Sequence, residues 1–316
     1  MQSKSAAIST ETMNDAPSSE KKSSFTFARY SIPSERHPER NEDSFVVDQR
    51  HGLTAVFDGV GGSVAGEVAS QIAAQVLKRG WQKALKNQPK TSQAALGPYH
   101  DLDVPSILEQ LTLEAHKEIR LDSEKKATGQ TERSPWLDDQ ATTLAAAVLI
   151  KQDNTETYTL IYVHAGDSRI YLLHENEPIK RLTQDDSILT ELVNNNEIEE
   201  EEALYIDQAT DVNELSELEY ICFQQRNGIT QALGDAQSLV VHSGQAQLQP
   251  GDHLLLCTDG IHDNLTDAEI EAVIRNSKRT TVAKKLVEQA LQRSQEETSL
   301  RAKADDMSAI VVTYQL

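Results

Sequence analysis

Cysteine is almost missing from this 316-residue chain, with only Cys222 and Cys257 present. Two separated thiols exclude a disulfide framework and the paired spacing of a zinc site. Cys257 lies in the apolar run HLLLC, which reads as core. Long apolar runs are missing too: none approaches the ~18 residues of a membrane-crossing helix. The N-terminus lacks the basic-then-apolar order of a secretory leader, so a reducing cytoplasm is the expected setting. Basic charge is in deficit, with 30 Lys and Arg against 50 Asp and Glu, a net charge of −20. That argues against broad binding to nucleic acid or anionic membrane, both of which need basic surface. A solvated acidic surface accounts for the excess, and so does a set of carboxylates clustered for divalent metals.

Residues 1–23 hold Ser, Thr and charge with almost no large apolar side chain. They bury too little to offset ordering entropy, so a disordered tail is expected there, with the fold spanning 24–316. Alternation predicts strands at FTFARY, SFVVD (44–48) and LTAVFD (53–58). A helix over 66–86 places Val68, Ala69, Ile72, Ala73, Val76 and Leu77 on one face. Residues 87–103 read as a loop, and 105–125 as a second amphipathic helix. Residues 141–150 read as a strand, and 157–167 with 169–175 as a hairpin-like pair. The run GDHLLLCTD, the helices TDAEIEAVI and TTVAKKLVEQALQRSQEE, and a closing strand MSAIVVTYQL complete the pattern. No internal repeat is present. Strands arrive in neighbouring pairs and helices are inserted as pairs, which predicts an α+β, largely antiparallel fold. Residues 187–227 are strongly acidic and weakly patterned. They read as a solvated helix and loop, or as a flap beside a site.

One device recurs. An apolar strand ends in a lone Asp beside Gly or another small residue: LTAVFD at Asp58, YVHAGD at Asp167, HLLLCTD at Asp259. Glu42 with Asp43, and Asp305 with Asp306, stand just before other strands. The stretch VFDGVGG is suited to holding a cation through Asp58 and bare backbone, and glycines near a helix start also suit phosphate. Each aspartate alone is explained by a turn or a cap. Five together are different, because strands that share a sheet pair can bring their ends to one point. Several carboxylates stay ionised together only when cations neutralise them. Oxygen-only donors favour Mg²⁺ or Mn²⁺, and two such ions suit hydrolysis of phosphate esters by an activated water.

The series RNEDSF, VFDGVGG…GEVAS, ATTLAAAVL, HAGDSRIYLL, RLTQDDS, ITQALGD, CTDGIHDNLTDAEI and ADDMSAIVV resembles the bacterial metal-dependent serine/threonine protein phosphatases of the PP2C type, the PPM family. The motifs stand in family order and cover about residues 25–316. The resemblance implies a four-layer αββα sandwich of two antiparallel sheets with a binuclear Mg²⁺ or Mn²⁺ site at one end. By motif, Asp58 bridges the two ions and the Gly59 carbonyl is a ligand. Asp259 and Asp305 complete one ion's set, and Glu42 and Asp43 hold waters of the other. Asp167, with Asp259, serves a third, weaker ion. Asp58, Asp259 and Asp305 would carry catalysis.

The chain also departs from the pattern. Pro38 stands where the family often has a phosphate-gripping Arg, leaving Arg36 and Arg40, and then His37, as substitutes. Val60 stands where some members carry a His proposed as general acid. His262 is a candidate for that role or a packing residue, and His164 reads as structural. Asp306 replaces the expected Asn and adds charge near the metals. The implied activity is hydrolysis of phosphoserine and phosphothreonine in proteins by direct attack of a metal-bridging water. The expected partners are phosphoproteins, with no nucleic acid or membrane, and the chain is expected to be a monomer. The rival readings are a catalytically weak binding or regulatory protein on this fold and a small-molecule phosphatase.

Overall fold

The central strands are short apolar runs buried on both faces, as a sheet covered on each side requires. The computed structural model describes residues 24–60, 64–86, 99, 102–127, 140–152, 155–235 and 238–315. The expected tail and nearly all of the expected loop 87–103 lie outside them. The first half of the chain forms β1 (Ser24–Ile32), β2 (Ser44–Asp48), β3 (Leu53–Phe57), β4 (Gly59–Val60), α1 (Val64–Lys86) and α2 (Val104–Ala127). β5 (Ala141–Thr142), β6 (Leu144–Lys151), β7 (Tyr158–Ala165), β8 (Arg169–Leu173) and β9 (Lys180–Arg181) follow. Then come α3 (Ile188–Asn194), α4 (Glu200–Gln208) and α5 (Glu217–Gln225). The chain closes with β10 (His242–Leu248), β11 (His253–Cys257), α6 (Asp259–His262), α7 (Asp267–Asn276), α8 (Val282–Ser294) and β12 (Met307–Gln315).

Two five-stranded sheets run in the orders β1-β12-β11-β8-β9 and β10-β7-β6-β3-β2, and β4 with β5 forms a short ribbon. Every pairing between named strands is antiparallel. Val56, Ala145, Ala147 and Leu160 of one sheet meet Leu254, Leu256, Ile310 and Val312 of the other in a buried apolar layer. On the outer face of the second sheet, α1 and α2 bring Leu77, Trp81, Leu108 and Ile119 onto Phe57, Ala146 and Val163. On the outer face of the first, α7 and α8 set Ile270, Leu286 and Val287 against Leu255, Cys257 and Val311. These are the four layers αββα, and Cys257 is core.

Three local readings change. β7 and β8 are not a hairpin: β7 pairs with β6 and β10, whereas β8 pairs with β11 and β9. The chain crosses between sheets at Gly166, whose φ of +91° suits glycine and where a Cβ would lie 2.7 Å from Thr143 Cγ2. The strand expected over 141–150 breaks at Thr143, whose hydroxyl turns to the Asp58 backbone. Strand β10, HSGQAQL, lacks a hydrophobic face and forms a half-exposed edge. The acidic segment is more ordered than its composition suggests. Ser216 with Glu219 makes a capping box on α5, and Leu189, Ile206, Ala209 and Phe223 form a small core of their own.

Candidate functional site

The strand ends meet at one edge of the sandwich. Asp58 follows β3, and its backbone is gripped by the ATT segment. Its N–H donates to Thr143 Oγ1 (3.1 Å), and its carbonyl accepts from the Thr143 N–H (2.8 Å) and Thr142 Oγ1 (2.7 Å). A Cβ at Gly59 would lie 2.5 Å from the Gly66 carbonyl and 2.6 Å from Glu42 O, so only glycine lets these three segments close. Asp259 opens α6 directly beyond β11, Asp305 precedes β12, and Asp167 sits in the crossing between β7 and β8.

A cleft of about 710 Å³ gathers them: Glu42, Asp58, Gly59, Asp167, Asp259 and Asp305 all line it, together with Arg36 and Arg40. Asp43 stands behind it, buried, accepting from Thr258 Oγ1 at 2.8 Å. Burial raises the Asp58 carboxyl well above its ordinary range, and Asp259, Asp43, Asp305 and Asp167 raise it further. Asp167 is raised by burial and then by Asp259, and Asp43 chiefly by burial. Asp259 is also raised by burial, against the pull of Lys303. Glu42 is raised by burial, against Arg40. Asp43 Oδ1 and Asp259 Oδ1 are buried with no hydrogen-bond partner among the described residues. An all-oxygen donor set with orphaned carboxylate atoms and mutual repulsion fits hard divalent cations.

A second cluster, His37, Glu42 and Asp306, brings donor atoms within 4.8 Å of one another. It does not fit a metal. Asp306 Oδ1 accepts from the Ser34 N–H (2.6 Å) and Oδ2 from the Glu42 N–H (2.7 Å). His37 Nδ1 donates to the Arg40 carbonyl at 2.9 Å. Asp306 is therefore a backbone clamp tying Ser34 and Glu42 to the start of β12, while its charge also helps to raise the Glu42 and Asp43 carboxyls. Asp306→Asn would turn one acceptor into a donor facing an N–H. A loss of about 1–2 kcal/mol in urea unfolding is expected, and equal stability would refute the clamp.

The remaining candidates separate by geometry. Arg40 Nη2 pairs with Glu42 Oε1 at 2.7 Å. Arg36 is exposed on the cleft, and no carboxylate among the described residues pairs with it. Val60 offers the cleft an apolar surface. His262 is 2% exposed and does not line the cleft. Its Nε2 donates to the Asp167 carbonyl, and burial lowers it to about 4. It is a packing residue that braces Asp167. His164 is buried and stacked on His242, with ring centroids 4.8 Å apart.

Sequence reasoning missed a buried polar hub behind the cleft. Arg169, in GDSR, forks onto Asp185 (3.1 and 3.0 Å from Nε, 2.6 Å from Nη2) and donates to Asp207 Oδ1 at 2.9 Å. Arg301 donates to the carbonyls of Asp207 (2.5 Å) and His262 (2.6 Å). On the cleft lining itself, Lys303 reaches Asp259, Asp263 and Asp305. The RLTQDDS motif was a signal for Asp185. Nothing local pointed to Asp207 or Lys303.

Residues 35–303 match the family model described as Protein phosphatase 2C. The chain belongs to the protein phosphatase 2C family. It is 29% identical over 244 residues to the serine/threonine phosphatase stp of Listeria innocua, covering 77% of this chain and 79% of that protein. It is 32% identical over 114 residues to protein phosphatase PhpP of Streptococcus pneumoniae, covering 36% and 39%. Among solved structures, the Mycobacterium tuberculosis phosphatase PstP/Ppp superposes with a TM-score of 0.65 at 24% identity, covering 92% of this chain and 99% of that one. A PstP catalytic domain in complex with two manganese ions gives 0.63 at 24% identity, covering 93% and 100%. These structures share the αββα fold of this phosphatase. No helix among the described residues is long and apolar enough to cross a membrane.

Proposed function

We propose that this protein phosphatase 2C hydrolyses phosphoserine and phosphothreonine in proteins with two Mg²⁺ or Mn²⁺ ions, and that Asp167 serves a third. The convergence of Glu42, Asp58, Asp167, Asp259 and Asp305 on one cleft, with Asp43 behind it, carries this reading. Divalent ions there would screen the phosphate charge and activate an attacking water. Asp58, Asp259 and Asp305 would hold the ions, the Gly59 carbonyl would add a ligand, and Glu42 and Asp43 would hold waters of one of them. Arg36 would receive the phosphate, because it lines the cleft and is exposed there while Arg40 pairs with Glu42. The chain supplies no thiol nucleophile. Cys257 lies in the core with its thiol raised by burial, and Cys222 is on α5, away from the cleft lining.

The test is phosphate release from a phosphothreonine peptide with Mn²⁺, with Mg²⁺ and with chelator. Activity is expected with either metal, falling at least ~100-fold in chelator. A folded protein equally active in chelator would overturn metal dependence. A folded protein inactive under every condition would support the rival reading of a catalytically silent binding protein.

A further inference from the structure

Lys303 is built into the acidic cleft rather than hung beside it. Its N–H donates to Asn264 Oδ1 (3.0 Å) and its carbonyl accepts from Asn264 Nδ2 (2.9 Å). Asn264 is itself fully buried behind α6. With the backbone clamped on both sides, the side chain is aimed at one place. Its ammonium contacts Asp259 Oδ2, lies 2.7 Å from Asp263 Oδ2 and 3.0 Å from Asp305 Oδ2, and the side chain is only 24% exposed. Asp259 and Asp305 are the two carboxylates assigned above to a single ion, and one lysine nitrogen already joins an oxygen from each. Asp263 lies deeper, 3% exposed. Burial alone would raise its carboxyl, but Lys303, His262 and Arg226 hold it well below the usual range.

We propose that Lys303 is a tethered counter-ion of this phosphatase. Its ammonium neutralises Asp259 and Asp305 in the metal-free protein and competes directly with the divalent ion those residues hold. The proposal rests on the metal reading above. A buried carboxylate cluster without any cation would strongly destabilise the fold. A resident ammonium removes that penalty and keeps the cleft formed before metal arrives. The same contact weakens metal binding, because an entering ion must first displace a paired, partly buried ammonium. Affinity at one position is thereby set by a residue that is not itself a ligand. Asp263 gives the displaced ammonium a partner that no ion has to share.

The experiment titrates Mn²⁺ into metal-free full-length protein and follows the free-ion signal by electron paramagnetic resonance. Wild type, Lys303→Met and Lys303→Gln are compared, in low salt and in about 0.5 M KCl, where long-range charge effects are screened. Both variants are expected to bind one ion about 10-fold or more tightly than wild type, in both salts. Their melting temperature in chelator is expected to fall. Unchanged or weaker affinity in the variants would overturn the proposal alone. No Mn²⁺ binding by any of the three proteins would overturn it together with the metal reading. A measurement on the wild type covers the case of variants that do not fold. In lysine-selective ¹⁵N spectra, the protected Lys303 ammonium signal should shift on adding Mg²⁺, and a signal indifferent to Mg²⁺ would overturn displacement.

Discussion

Asp58→Asn is expected to lower kcat on a phosphothreonine peptide at least ~1000-fold, because the residue assigned to both ions loses its charge. The same change should leave the metal-free protein as stable as the wild type, or more so. Asp58 is crowded by Asp259, Asp43, Asp305 and Asp167, which all push its carboxyl up in addition to burial. An amide of the same shape removes one charge from that repulsion. The backbone contacts with Thr142 and Thr143 do not involve the side chain. Function and stability should thus move in opposite directions, which is the mark of a site built against its own repulsion. The measurements are single-turnover phosphate release with Mn²⁺ and melting temperature in chelator. Activity within tenfold of wild type would remove Asp58 from the mechanism. Loss of activity accompanied by a much lower melting temperature would mean that Asp58 holds the fold instead.

Legibility in the sequence followed locality. The strand-end aspartates were readable because an apolar run, a carboxylate and a glycine are contiguous, and their convergence was an inference from repetition of that device. The antiparallel α+β class was readable because strand patterning is local, whereas the division into two sheets was implied only by the family resemblance. The membership of β7 and β8 in different sheets was not readable. Both are short apolar runs joined by a tight turn, and only the backbone at Gly166 and the distant partners β6 and β11 decide the matter. Strand β10 escaped because an edge strand of Gln, Ser and Gly carries no apolar face. Asp306 shows the limit most clearly. Beside Asp305 it looks like surplus metal-site charge, yet both its oxygens serve amides 272 and 264 residues away. Lys303 likewise has meaning only once three carboxylates from two segments surround it. What composition described as a loose acidic flap is anchored through Asp207, one acid among many in that segment until Arg169 is seen opposite it.

Arg169→Met should be the most destabilising single change outside the apolar core. Arg169 is 2% exposed and holds Asp185 by a fork and Asp207 by a single bond, while its Nη1 donates to the Tyr171 hydroxyl at 3.2 Å. Tyr171 Oη donates onward to Asp267 at 2.9 Å. Methionine keeps an unbranched apolar stem without the guanidinium, so two buried carboxylates lose their principal partner. Arg181 stays 3.5 Å or more from both and replaces little. Breaking one side of a buried ion pair costs about 3–5 kcal/mol, which corresponds to a fall in melting temperature on the order of 10 °C. The loss should centre on α4, read as faster amide exchange there. Adding Asp207→Asn to Arg169→Met should restore part of the stability, since one stranded charge disappears. Acid gives an independent check. Burial alone would raise Asp207, but Arg169 and then Arg181 hold it well below the usual carboxylate range. A depressed carboxyl contributes stability in full above its unfolded value of about 3.9 and loses it as pH falls toward the folded value. The wild-type protein should therefore lose amide protection at α4, measured against the intrinsic exchange rate at each pH, as pH drops below about 4, and Arg169→Met should lack much of that dependence. A double variant no more stable than Arg169→Met, or an acid profile identical in both proteins, would show that the flap is held by its own small core and not by the arginine.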